Sequence, residues 1–299
     1  MSDVRIAITG SHGLIGTALI DRLAAVGHDV ARVVRSSPGA DDIEWDPAAG
    51  RLEASDLIGV DAVVNLAGAG IGDHRWTDEY RREIRESRTK ATALIARAIA
   101  EVDGGPKVLL SGSAIGFYGD RGEEELDESS TPGEDFLAGV VRDWEASAAA
   151  AEPVARVVHL RSGIVLAGHG GALAKMLPLF KFGAGGKFGS GRQWMSWVSL
   201  TDEVGAIVHL LDSEVSGPVN LTAPEPVTNK RFADTVGEVL RRPTFLPVPE
   251  FGPKLLLGSE RAESLLFVSQ RVAPKVLLDD GYAFAHLDLA SALHAELGR

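Results

Sequence analysis

Residues 9–16, TGSHGLIG, constrain this chain more than any other stretch, because Gly10, Gly13 and Gly16 fall at three-residue spacing between an apolar run and a helical pattern. Before them, VRIAIT (4–9) has the β-branched, apolar character of a buried parallel strand. After them, LIGTALIDRLAAVG (14–27) carries helical spacing and closes on Gly27. The three glycines do different physical jobs. One permits the tight turn, one lets a pyrophosphate approach the backbone, and one lets helix and strand pack closely. The free N–H groups around Ser11, Leu14 and Ile15 then open a helix whose positive dipole end suits phosphate. Strand, glycine turn and helix together predict a dinucleotide site; a glycine-rich turn with no ligand is the alternative.

The rhythm continues along the chain. DVARVVR (29–35), DAVVNLAG (61–68), PKVLLSGS (106–113) and VARVVHLR (154–161) read as further strands, with a long helix over about 77–101 and another within 134–147. Strands alternating with helices of this length predict an α/β chain with a doubly wound parallel sheet. After Arg161 the texture changes. GHGGALAKMLPLFKFGAGGKFGSGRQ (168–193) is glycine-dense, GPVNLT (217–222) reads as one more strand, NKRFADTVGEVLRR (229–242) as a helix, and Pro243, Pro247, Pro249 and Pro253 punctuate the rest. The expected division is a nucleotide-binding part over 1–165 plus about 199–222, and a smaller substrate-side lobe over 166–198 and 223–299.

A formal net charge of −12 argues against a nucleic-acid partner, and EYRREIRESRTK (79–90) mixes both signs as a solvated helix face does. Cysteine is absent, which removes disulfides, thiolate nucleophiles and Cys-ligated zinc, and the eight histidines show no metal-ligand spacing. No apolar stretch approaches the roughly 20 residues that span a bilayer, and MSDVRIAITG lacks the pattern of a signal peptide. A cytoplasmic protein with a small-molecule substrate, no metal, no nucleic acid and no membrane is expected.

The end of the second strand selects the nucleotide. An NAD site places an acid there for the ribose 2′-OH; this chain has VVRSS, with Arg35 followed by Ser36 and Ser37. A guanidinium with adjacent hydroxyls suits a 2′-phosphate, so NADP (NADPH) is the expected cofactor. The alternative is an Arg35 that merely ends a strand in solvent.

TGSHGLIG, NLAG and SGSAIGFYG together resemble an extended short-chain dehydrogenase/reductase. WDP (45–47), HRWT (74–77), ESR (86–88), RDWEA (142–146), GGALAKMLP (170–178) and GSGRQWMSWV (189–198) narrow the likeness to its atypical branch, the epimerase-family or nucleoside-diphosphate-sugar-epimerase-like proteins. The resemblance covers nearly the whole chain. It implies an NADP-binding Rossmann domain and a small C-terminal lobe of unknown function. It also implies a cofactor trough lined by Asn65, Ala67, Gly68, Ser87, Ser111 and Arg161, and a homodimer built on the two long helices. Lys175, Arg192 and Gln193 of the glycine-rich crossover are further candidates for contact with an anionic substrate. Trp194 and Trp197 read as core, with a stacking wall at the site as the alternative, and Asp202 as a helix-capping or first-turn acid.

Typical relatives pair a tyrosine with a lysine four residues later, so that the two project from one helix face and the lysine depresses the tyrosine pKa. All three tyrosines fail this test: Ile84 follows Tyr80, Gly122 follows Tyr118 and His286 follows Tyr282 at that distance. Phe136, Leu137, Val140 and Val141 fill the helix that carries the pair in relatives. Ser113 aligns with the serine that orients the substrate carbonyl. Tyr118 is either the acid at the nicotinamide mouth or a packing residue, and Arg142 either takes the lysine's space or pairs at the surface. Two functions stand on this pattern: an NADP-dependent oxidoreductase or epimerase-like enzyme on a small polar, nucleotide-sugar-like substrate with Ser113 and Tyr118 as its catalytic groups, or a non-catalytic NADP(H)-binding sensor.

Overall fold

The computed structural model describes residues 4–298. Seven strands form its main sheet, in the spatial order Gly217–Leu221, Arg156–Ser162, Val108–Ala114, Ala62–Asn65, Arg5–Thr9, Asp29–Val34 and Ile43–Glu44. Pairing is parallel from Val108–Ala114 across to Ile43–Glu44. The first strand lies inside the sheet, with later strands added on both sides of it, which is the doubly wound arrangement the sequence predicts. The two-residue edge strand Ile43–Glu44 has no counterpart in the sequence pattern, because two residues carry no readable periodicity.

The chain divides into two compact units. The first comprises residues up to Ser113, Val140–Leu160 and Val204–Val219; the second comprises Ala114–Gly139, Arg161–Glu203 and Asn220–Arg299. The second is as large as the first, not smaller, and it includes 114–139, which sequence pattern alone places in the nucleotide-binding part. The reason is local. Glu125–Leu126 pairs with Arg271–Val272, Gln270 Nε2 donates to the carbonyls of Ile115 and Gly119, and Ile115, Tyr118, Leu126 and Val272 share one apolar cluster.

In the first unit, Ala7, Val33, Val63 and Leu109 point from successive strands into a core closed by Ile95 and Ile99 of the helix Asp78–Glu101. That helix starts where its sequence says it should. Thr77 caps it by accepting from Tyr80 N at 3.2 Å, and Asp78 and Glu79 occupy its first turn, which favours the positive dipole end. In the second unit, Trp197, Phe232, Leu173, Phe180 and Leu293 are buried together. Short pairs of strands, Trp197–Ser199 with Ile164–Leu166 and Val227–Thr228 with Trp194–Met195, brace that core.

No described helix is long and apolar enough to cross a membrane. Nor do the described residues hold a group of three or more His, Asp or Glu side chains suited to a metal.

Candidate functional site

The glycine turn has the geometry its spacing predicts. Gly10 adopts φ +65°, and a Cβ there would stand 2.7 Å from the Leu66 carbonyl oxygen; one on Gly16 would stand 2.3 Å from the Gly10 oxygen. Both are backbone collisions, so any larger residue displaces the turn. Gly13 occupies the cap position of the helix Leu14–Ala25 with extended backbone, no side chain caps it, and no acid lies in the first turn. This differs from the helices starting at Asp78, Asn229 and Leu289, each capped by a Thr or Asp side chain. The first N–H groups of Leu14–Ala25 are left for an external acceptor, and the steric cradle is open to a phosphate. The residues therefore fit a dinucleotide.

At the end of the second strand, Arg35 and Ser36 are both exposed. Neither has a hydrogen-bond or ion-pair partner among the described residues. A cation free of carboxylates at this strand end is what a 2′-phosphate needs.

The neighbouring strand end is held by a buried chain of hydroxyl, amide and indole groups. Thr9 Oγ1 donates to Asn65 Oδ1 at 2.6 Å and accepts from the N–H groups of Leu66 and Ala67. Asn65 Nδ2 donates to Thr92 Oγ1 at 2.8 Å, and Trp144 Nε1 donates to the same oxygen at 2.9 Å. The family resemblance makes Asn65 a cofactor contact. Its side chain instead has no exposed surface, and its two polar atoms are engaged by Thr92 and by the Thr9 hydroxyl that receives the Leu66 and Ala67 N–H groups. Ser87 supports the same loop by accepting from Ala69 N at 3.0 Å. Ser111 is fully buried and its Oγ reaches only the Gly112 carbonyl, at 3.5 Å.

Ser113 is 5% exposed and donates to Glu145 Oε1 at 2.6 Å. Glu145 belongs to the helix Phe136–Ala146, where the Tyr–Lys pair of typical relatives would stand. Sequence reasoning misses this partner, although it lies in the RDWEA motif; no spacing rule connects residues 32 apart. Arg142, on the same helix, is exposed.

Tyr118 calls for a correction. It lies in the second unit with no exposed surface, donates its Oη proton to Asn220 Oδ1 at 2.7 Å, and accepts from Arg161 Nη1 at 3.1 Å. Burial raises its pKa, against the lowering effect of Arg161. Both hydrogen-bond partners of the phenol are protein side chains, and its ring packs with Ile115, Leu126 and Val272. Arg161, a cofactor contact by resemblance, is itself 3% exposed, with its guanidinium carbon 3.5 Å from the centre of the Phe117 ring. Glu128 completes the cluster by accepting from the N–H groups of Asn220 and Val276, and burial raises its pKa.

The remaining expectations divide. Trp197 is core and Trp194 hydrogen-bonds Glu123. Gln193 is spent on the Leu266 carbonyl, whereas Lys175 and Arg192 are exposed. Asp202 is buried at a helix start, where it accepts from Ser199 Oγ and from the N–H groups of Ala285 and His286.

Comparison with known proteins places this geometry. Residues 6–222 match the NAD dependent epimerase/dehydratase family, and residues 248–296 match a domain of unknown function, DUF1731. An epimerase family protein of Mycobacterium bovis is 41% identical over 98% of this chain and 97% of its own. Among solved structures, human epimerase family protein SDR39U1 (isoform 2), crystallised with NADPH, superposes with a TM-score of 0.91 at 36% identity, covering 99% of both chains. A nucleoside-diphosphate sugar epimerase from Corynebacterium glutamicum superposes with a TM-score of 0.80 at 37% identity, covering 99% of this chain and 59% of that one.

Proposed function

We propose, from the premise that this chain belongs to the NAD dependent epimerase/dehydratase family, that it is an NADPH-dependent oxidoreductase or epimerase-like enzyme acting on a small polar substrate. One observation carries the reading: Ser113, at the end of a central strand, donates a 2.6 Å hydrogen bond to Glu145, in a unit that also holds the uncapped glycine cradle and the unpaired Arg35. The NADPH of the human structure adds support for the cofactor.

In the mechanism, bound NADPH supplies hydride to a substrate carbonyl. The chain's own residues do the rest. The N–H groups at the start of Leu14–Ala25 hold phosphate, and Arg35 with Ser36 selects the 2′-phosphate. Ser113 Oγ orients the carbonyl oxygen and passes it the proton that balances hydride addition, giving an alcohol. Glu145, which accepts from Ser113 in the structure, first takes up a proton from solvent; its acid form then donates to Ser113 Oγ, replaces the proton that Ser113 gives to the carbonyl oxygen, and is left as a carboxylate. In the reverse direction the carboxylate accepts that proton. A Ser–Glu relay of this kind does without the absent Tyr–Lys pair.

A second reading, an NADPH-binding sensor without chemistry, draws on a specific feature: Leu137 and Val141 stand i, i+4 on the helix where relatives carry that pair. A turnover screen over carbonyl compounds and sugar nucleotides, with Ser113→Ala and Glu145→Gln, separates the two. Substrate-dependent oxidation of NADPH that both variants abolish, with cofactor affinity retained, supports the enzyme. Tight NADPH binding with no absorbance change for any substrate supports the sensor.

A further inference from the structure

Arg88 lies midway along Asp78–Glu101, and it differs from other cations of that helix. Arg85 pairs with Asp143, Lys90 with Glu86 at 2.8 Å and Arg97 with Glu101 at 3.8 Å, all on exposed faces. Arg88 is half-buried, and no carboxylate accompanies it among the described residues. Its Nη1 donates to the Ile84 carbonyl one turn back, at 2.9 Å, and its guanidinium carbon stands 5.1 Å from the centre of the Trp144 ring. Among the described residues Nε and Nη2 have no protein acceptor, and they are not sealed inside the protein. Gly68 lets the group lie flat on the 66–69 loop, since a Cβ there would stand 3.2 Å from Arg88 Cγ and Cζ.

Burial lowers the Arg88 pKa to about 10, so the side chain remains a cation at neutral pH. A desolvated cation without a counter-ion is costly, and an incoming anion recovers that cost. The Nε–Nη2 edge is the side of a guanidinium that grips carboxylate or phosphate through two parallel hydrogen bonds. Cofactor phosphates already have the N–H groups of Leu14–Ala25 and Arg35. Arg88 stacks on Trp144, and the next residue along that helix is Glu145, the partner of Ser113.

We propose that Arg88 is the anion-recognising residue of the substrate site, gripping a carboxylate or phosphate group of the substrate on its Nε–Nη2 edge above the 66–69 loop. This rests on the reading that places the chemistry at Ser113, and it narrows the substrate class from small polar compounds to anionic ones.

The test uses the NADPH-loaded protein titrated with malonate and, separately, inorganic phosphate, followed through the Trp144 indole N–H resonance assigned with Trp144→Phe. A saturable shift with at least one probe is expected. Arg88→Gln should weaken that probe at least about tenfold while NADPH affinity stays within about twofold, and Arg88→Lys, which keeps charge but loses the fork, should fall between. No saturable shift with either probe, or equal probe affinity in Arg88→Gln, overturns the proposal. So does a tenfold loss of NADPH affinity in that variant, which would assign Arg88 to a cofactor phosphate. Should Arg88→Gln not fold, the wild-type titration and Arg88→Lys decide, and an Arg88→Lys affinity equal to wild type counts against the proposal. Failure of wild-type protein to bind NADPH would sink the cofactor reading alone, since the probe titration of the free protein still judges Arg88.

Discussion

Two polar clusters in this molecule look alike on paper and behave oppositely. In the first unit, the uncapped start of Leu14–Ala25, Arg35 and the outer edge of Arg88 all keep donors that no protein group uses among the described residues. In the second unit, Tyr118, Asn220, Arg161 and Glu128 are joined to one another or to backbone. Ser113 and Tyr118 stand five residues apart in one motif and both donate to a protein group, but Ser113 belongs to the first unit and Tyr118 to the second. The difference lies in where the hydroxyl, amide and guanidinium donors go: those of Tyr118, Asn220 and Arg161 go to protein acceptors or rings, whereas Arg35 is exposed with none among the described residues.

That contrast can be broken most sharply at Gly16. Gly16→Val forces a Cβ to within 2.3 Å of the Gly10 oxygen. We expect NADPH affinity to fall at least about a hundredfold, or roughly 2.7 kcal/mol, read by fluorescence titration; retained affinity would remove the cradle from the site. Glu203, buried in the second unit, should affect folding instead. Burial raises its pKa from 4.5 to about 8 although Ser162 donates to it. The folded state then holds a proton that the unfolded chain releases, so stability falls as pH rises through 4.5 to 8, by at most about 1.4 kcal/mol per pH unit. Glu203→Gln should flatten that slope in urea unfolding and gain most near pH 8; parallel curves for variant and wild type would contradict it.

Tyr118→Phe should cost about 1–3 kcal/mol of stability by stranding Asn220 Oδ1 and an Arg161 donor, with NADPH affinity unchanged. If it abolished turnover in a fully folded protein, the packing assignment would be wrong. The smallest effect is expected at Arg35: Arg35→Ala should weaken NADPH about tenfold, or 1.4 kcal/mol, and leave NADH untouched. An unaltered NADPH-to-NADH ratio would send that arginine back to solvent.

What can be read from the sequence follows from range. The strands and long helices are legible because hydrophobic period and glycine spacing are local, and Thr77 announces its helix within one turn. Arg35 is legible because strand-end chemistry is local too. The Ser113–Glu145 bond, the Thr9–Asn65–Thr92–Trp144 chain and the stacking of Arg88 on Trp144 join residues tens of positions apart. Only the fold brings such residues together. Tyr118 misleads for a related reason: its motif resembles half of an active site, while the two groups that occupy its hydroxyl come from residues 161 and 220.

The pairing of Arg271–Val272 with Glu125–Leu126 has an evolutionary consequence. The segment 248–296 matches a family of its own, as though it were a cassette that genes could exchange. Its strand, however, is completed by residues encoded some 146 positions upstream, and Gln270 fastens Ile115 and Gly119 beside it. A recombination event that swapped the tail alone would strand both halves of that ladder.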